Sequence, residues 1–86
     1  MKSVTVYSMH GCPYCEAAKA LLQKRAVAFE EIKLAEEDDA AWTELSLRSG
    51  LKTMPQIFQG ERLIGGFAEL AKLDQIDSLV SLKIAG

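Results

Sequence analysis

The feature that most constrains this chain is a change of hydrophobic period close to its start. Val4-Thr5-Val6-Tyr7 alternates as a strand does. After a turn-like link, Ser8-Met9-His10-Gly11, the period becomes helical from Pro13. Tyr14, Ala17, Ala18, Leu21 and Leu22 recur at three- and four-residue steps, with Glu16, Lys19, Gln23 and Lys24 opposite. Pro13 suits a first helical turn, where its missing N–H costs nothing. Residues 28–34, with Phe29, Ile32 and Leu34 among charged neighbours, read as a second strand. Strand, helix, strand requires a parallel pair and a right-handed crossover.

The second half follows another order. The acidic run Glu36-Glu37-Asp38-Asp39 suits a helix start, with Trp42, Leu45 and Leu47 behind it and Gly50 as its stop. Gln56-Ile57-Phe58 and Arg62-Leu63-Ile64 flank a turn at Gln59-Gly60-Glu61, a hairpin signal. After Gly65-Gly66 a last helix is expected, with Leu70, Leu73, Ile76, Leu79 and Val80 on one side. A βαβ unit followed by a ββα unit predicts an α/β fold, a mixed four-stranded sheet with helices on both faces. The chain of 86 residues suits a single domain spanning 1–86.

Composition removes several functional classes. A net charge of −2 carries no basic stripe for nucleic acid. No apolar run approaches the roughly 20 residues of a membrane-spanning helix. Met1-Lys2-Ser3 leads straight into the first strand rather than into the apolar core of a signal peptide. The expected setting is cytoplasmic, with no membrane and no nucleic-acid partner.

The two cysteines, Cys12 and Cys15, lie within one four-residue motif. A bridge across so short a gap closes almost no loop, so it cannot staple the fold. Its purpose is chemical. A CxxC beside a strand–helix–strand pattern points to a thioredoxin-like redox site. Cys12 falls at the strand-to-helix junction, where unpaired N–H groups and the helix dipole favour an anion. The Cys12 pKa is therefore expected to be lowered, making it the attacking thiolate. Cys15, one turn further in, is expected to be less exposed and to resolve a mixed disulfide. Ordinary buried thiols are the plain alternative. A zinc half-site is another, but zinc takes four ligands and only His10 is at hand; no metal is expected.

Three separated motifs then act together: Cys12-Pro13-Tyr14-Cys15, Thr53-Met54-Pro55-Gln56-Ile57-Phe58 and Gly65-Gly66-Phe67-Ala68-Glu69-Leu70. In this order and spacing the chain resembles the dithiol glutaredoxins, from Val4 to about Leu82. The resemblance implies a thioredoxin fold and glutathione as reducing co-substrate. It also implies disulfide-bonded or glutathionylated proteins as partners; nothing in the sequence demands more than a monomer, which is the expected state. Its site residues would be Cys12 and Cys15 for the chemistry, with Tyr14, Lys52, Thr53, Met54, Pro55, Gly66, Phe67 and Ala68 around glutathione. Pro55 would be cis, leaving the Met54 backbone to pair with the ligand as an edge strand does. The N–H groups of Phe67 and Ala68 would cradle the γ-glutamyl carboxylate.

One position departs from the family pattern. The lysine usual three residues before the first cysteine is Met9 here, and His10, Arg48 or Lys52 are the candidates to compensate. Two rivals follow from the same resemblance. One is a [2Fe–2S] carrier dimer built on Cys12 and glutathione, which Pro13 disfavours. The other is a protein reduced by thioredoxin reductase, which the two glutathione motifs disfavour.

Overall fold

A computed structural model describes residues 4–83 of the chain. The reading of Met1-Lys2-Ser3 lies outside the described residues. Four strands, β1 (Val4–Met9), β2 (Phe29–Leu34), β3 (Gln56–Gln59) and β4 (Arg62–Gly65), form one sheet in the order β2-β1-β3-β4. β1 runs parallel to β2, with Val4 opposite Phe29 and Met9 opposite Leu34. β3 runs antiparallel to both β1 and β4. The connection between β1 and β2 is α1 (Pro13–Lys24), and α2 (Asp39–Ser49) links β2 to β3. α3 (Phe67–Asp77) and a short α4 (Val80–Lys83) follow the hairpin.

Strand alternation divides the interior in two. Val4, Val6 and Ile57 face Ala18 and Leu22 of α1, Leu70 of α3, and Leu79 and Leu82 beyond it. Each Val, Leu or Ile among them contributes roughly 1.5–3 kcal/mol when fully buried. On the opposite face Tyr7 and Phe58 pack with Leu45 and Trp42 of α2. That second cluster reaches the end of the sheet, where it also holds Cys12, Cys15 and Met54.

Local sequence explains the helix limits. Asp38 caps α2, its Oδ1 accepting the Ala41 N–H at 3.1 Å. Gly50 closes the helix at φ +74°, a left-handed conformation that favours glycine. Trp42 anchors α2 by donating Nε1–H to the Ala35 carbonyl at 2.9 Å.

Three local expectations are corrected. Ser8 and Met9 belong to β1, not to a turn, and pair with Lys33 and Leu34. Ser8 is fully buried and donates its hydroxyl to Glu31 Oε2 at 2.6 Å, a partner 23 residues away. Gln59 belongs to β3, so the hairpin turn is the pair Gly60-Glu61 alone. Tyr14 is 65% exposed, and Cys15, Ala18 and Leu22 form the buried stripe of α1 instead.

The last helix is also not continuous. Ser78 and Leu79 adopt φ +55° and +62° between α3 and α4. Leu70 and Leu79 are nine residues apart, which at ~100° per residue places them on opposite sides of an unbroken helix. The break turns Leu79 back into the core and leaves Ile76 and Val80 exposed.

Candidate active site

The site begins at the end of β1. His10 and Gly11 turn the chain, Gly11 at φ +72°, and Cys12 becomes the N-cap of α1. Cys12 is extended, and its Sγ accepts the Cys15 N–H at 3.2 Å. Pro13 fills the first helical position, so an N–H that would need a partner is absent. A sulfur thus occupies the place where an N-cap oxygen usually stands.

Cys12 and Cys15 are joined as a disulfide, with Cα atoms 5.2 Å apart, within the normal span of a bridged pair. Both are buried, Cys15 completely and Cys12 at 7% exposure. The difference has the expected sign, with Cys12 the outer sulfur.

Facing Cys12 is the loop before β3. The Met54–Pro55 peptide is cis, and the Met54 carbonyl oxygen lies 3.9 Å from Cys12 Sγ. From this corner an open groove of about 470 Å³ runs toward α3, lined by Tyr14, Thr53, Met54, Pro55, Gly66, Phe67, Ala68 and Glu69. The Tyr14 and Phe67 rings, with centroids 6.0 Å apart, form an aromatic wall between α1 and α3. At its far end Gly66 is the N-cap of α3 and has no side chain to satisfy the first-turn N–H groups. Those of Phe67 and Ala68 have no intrahelical acceptor, the condition for an anion cradle. A Cβ on Gly66 would stand 3.4 Å from the Pro55 carbonyl, so the two loops approach closely there.

Seven of the eight expected ligand residues line this one groove. Lys52 does not; it borders another depression with Trp42, Thr43, Ser46, Leu47 and Gly50. Arg48 is also elsewhere, its guanidinium 5.7 Å from the Tyr7 ring centre and 5.0 Å from that of Phe58. It donates to the Tyr7 hydroxyl at 3.1 Å. Glu69 is the groove residue that motif reading passed over. Its Oε1 accepts the Gly66 N–H at 2.7 Å, and its chain covers Gly65, whose φ is +130°. The signal was present, because an acidic residue three after an N-cap is half of a capping box.

A charged network braces the other side of α1. Lys19 Nζ contacts Glu16 at 2.6 Å and Glu31 at 2.9 Å, and these hydrogen bonds raise its pKa. The Ser8 hydroxyl, then Lys19, hold the Glu31 carboxyl below its ordinary value. Arg25 at the end of α1 contacts both carboxylate oxygens of Asp74, at 2.7 and 3.4 Å, tying α1 to α3.

A CxxC disulfide capping the first helix, set against a cis-proline corner on this sheet order, defines a thioredoxin-fold thiol–disulfide oxidoreductase. Comparison with known proteins narrows the class. The glutaredoxin family model matches residues 4–64. Glutaredoxin 3 of Escherichia coli K12 is 42% identical over 74 residues, covering 86% of this chain and 88% of that protein. The solution structure of a Brucella melitensis glutaredoxin superposes with a TM-score of 0.82 at 40% identity, covering all of this chain and 94% of that one. A buckwheat glutaredoxin in complex with glutathione gives 0.86 at 27% identity, covering 95% of this chain and 76% of that one. The chain belongs to the glutaredoxin family and is a glutathione-dependent thiol–disulfide oxidoreductase.

Proposed function

We propose that Cys12 is the attacking sulfur, that Cys15 is needed only for protein disulfides, and that the groove from Met54 to Ala68 seats glutathione. The observation that carries this reading is the place of Cys12 Sγ. It caps α1 and lies 3.9 Å from the Met54 carbonyl, at the mouth of the groove. The Cys15 N–H and the helix terminus favour a thiolate there.

With a glutathionylated protein, the Cys12 thiolate attacks the glutathione sulfur. A Cys12–glutathione disulfide forms, and the old S–S electron pair leaves with the protein thiolate, which takes a proton. A second glutathione thiolate then attacks that glutathione sulfur, releasing oxidised glutathione and restoring the Cys12 thiolate. With a protein disulfide, Cys12 forms a mixed disulfide and Cys15 attacks Cys12 Sγ. The second protein thiol leaves and the Cys12–Cys15 bridge closes, the state described above. Two glutathiones reopen it.

In this reading the Met54 backbone pairs with the cysteine of glutathione beside Thr53 and Pro55. Tyr14 and Phe67 cover the ligand, and the N–H groups of Phe67 and Ala68 at Gly66 hold the γ-glutamyl carboxylate. Lys52, next to Thr53 in sequence, reaches the glycyl carboxylate from outside the groove. A monomer suffices for every step, and a cytoplasmic setting, where glutathione keeps thiols reduced, suits the chemistry.

The test is a pair of variants assayed on a glutathionylated protein. Cys12→Ser is expected to abolish deglutathionylation, while Cys15→Ser keeps it and loses reduction of protein disulfides. Complete loss of deglutathionylation in Cys15→Ser would overturn the assignment of roles.

A further inference from the structure

A second groove of about 490 Å³ borders Cys12 on its other flank, lined by Met9, His10, Gly11, Cys12, Pro13, Glu16 and Lys33. It shares no lining residue with the groove assigned to glutathione. Its charges are unevenly committed. Glu16 is held by Lys19 at 2.6 Å, and Glu31, alongside, is held by Lys19 and by the Ser8 hydroxyl. The Lys33 ammonium acts on Glu31 only through space and makes no side-chain hydrogen bond or ion pair among the described residues. It is exposed and stands on β2 opposite Ser8. The groove therefore presents an apolar floor at Met9 and Pro13, with one cation whose contacts are unfilled.

We propose that this second groove is the polypeptide subsite for protein disulfides, and that Lys33 selects substrates with an acidic residue beside the reactive cysteine. The proposal rests on Cys12 being the attacking sulfur. A polypeptide bonded to Cys12 through its own cysteine has chain on both sides of that cysteine. One arm takes the Met54 groove, and the other continues past Cys12 into the groove at Lys33. Met9 supplies a pliable apolar contact to whatever side chain lies there. A carboxylate on that arm meets the uncommitted ammonium of Lys33 with Glu16 already neutralised by Lys19. Glutathione, a tripeptide seated in the first groove, leaves this subsite unused.

The experiment removes glutathione from the assay. The reduced Cys15→Ser protein is mixed with short peptides whose single cysteine is capped as a mixed disulfide with thionitrobenzoate. The Cys12 thiolate attacks the peptide sulfur, the Cys12–peptide disulfide forms, and the S–S electron pair leaves as coloured thionitrobenzoate. Three peptides carry Glu, Gln or Lys on both sides of the cysteine. The Glu peptide is expected to react about fivefold faster than the Lys peptide, the size of one exposed charge pair. Lys33→Glu is expected to reverse that order and Lys33→Met to level it, with the Gln peptide unchanged in all three proteins. Equal rates for the Glu and Lys peptides, or a preference that survives Lys33→Glu, would overturn the proposal. The glutathione reading is checked separately by turnover of bis(2-hydroxyethyl) disulfide with glutathione, so either can fail alone.

Discussion

The two faces of the sheet are built from different materials. Beneath α1 and α3 the interior is aliphatic: Val4, Val6, Leu22, Ile57, Leu70 and Leu79. Beneath α2 it is aromatic and sulfur-bearing: Tyr7, Trp42, Phe58, Met54 and the two cysteines. Aliphatic side chains in fixed rotamers fill space closely and give a single well-ordered packing. Rings and sulfurs add directional contacts, as where Tyr7 meets Phe58 edge-on at 5.6 Å under the Arg48 guanidinium. The first face holds the fold together, and the second is the floor on which Cys12 and Met54 are set.

Truncation on each face separates those roles. Leu22→Ala, at a fully buried site, is expected to cost about 2–5 kcal/mol in denaturant unfolding. Where it remains folded, its KM for glutathione is expected to be unchanged. Leu45→Ala, nearly as buried but packed in the cluster of Cys12, Cys15 and Met54, is expected to cost about 2–4 kcal/mol. It should also alter the Cys12 alkylation rate. If both variants shift that rate equally, the division between the faces fails. A smaller effect is expected from Arg48→Ala, which loses a cation–π stack worth about 0.5–1 kcal/mol at an exposed site. Its thermal midpoint should fall slightly while glutathione turnover stays within twofold.

The smallest effect concerns pH. The Ser8 hydroxyl and Lys19 hold the folded-state Glu31 carboxyl below its ordinary 4.5. Its stabilising contribution is therefore complete above that value and is lost as pH falls through the lower folded-state pKa. The difference in thermal midpoint between the native protein and Ser8→Ala should accordingly shrink on acidification below about pH 4.5. A difference that grew instead would reverse the sign assigned to Glu31.

How much of this was legible beforehand depended on whether the cause was local. The helix limits at Asp38 and Gly50 are short-range backbone effects, readable from a few neighbours. The hairpin around Gly60 and the cap position of Cys12 are equally local. Ser8 was misplaced because its partner, Glu31, comes from another strand. Leu79 was rightly read as buried but wrongly as helical, with Ile76 and Val80 beside it, because period alone cannot register a break whose benefit is burial against α1 and β1. Tyr14 fits the apolar period of α1 yet stands outside, since at the first turn it meets Phe67 rather than the sheet.

The sequence by itself determined the order of elements, the CxxC at a helix start and the motifs around it, because spacing and local backbone chemistry suffice for these. Only the tertiary structure decided which residues share a surface. It brought residues 14, 53–55 and 66–69 into one groove, and it set Lys52 and Arg48 elsewhere. It also placed Lys33 beside Cys12, through the parallel pairing of β1 with β2. Such neighbours are fixed by strand register and helix packing, which act between residues far apart in the chain.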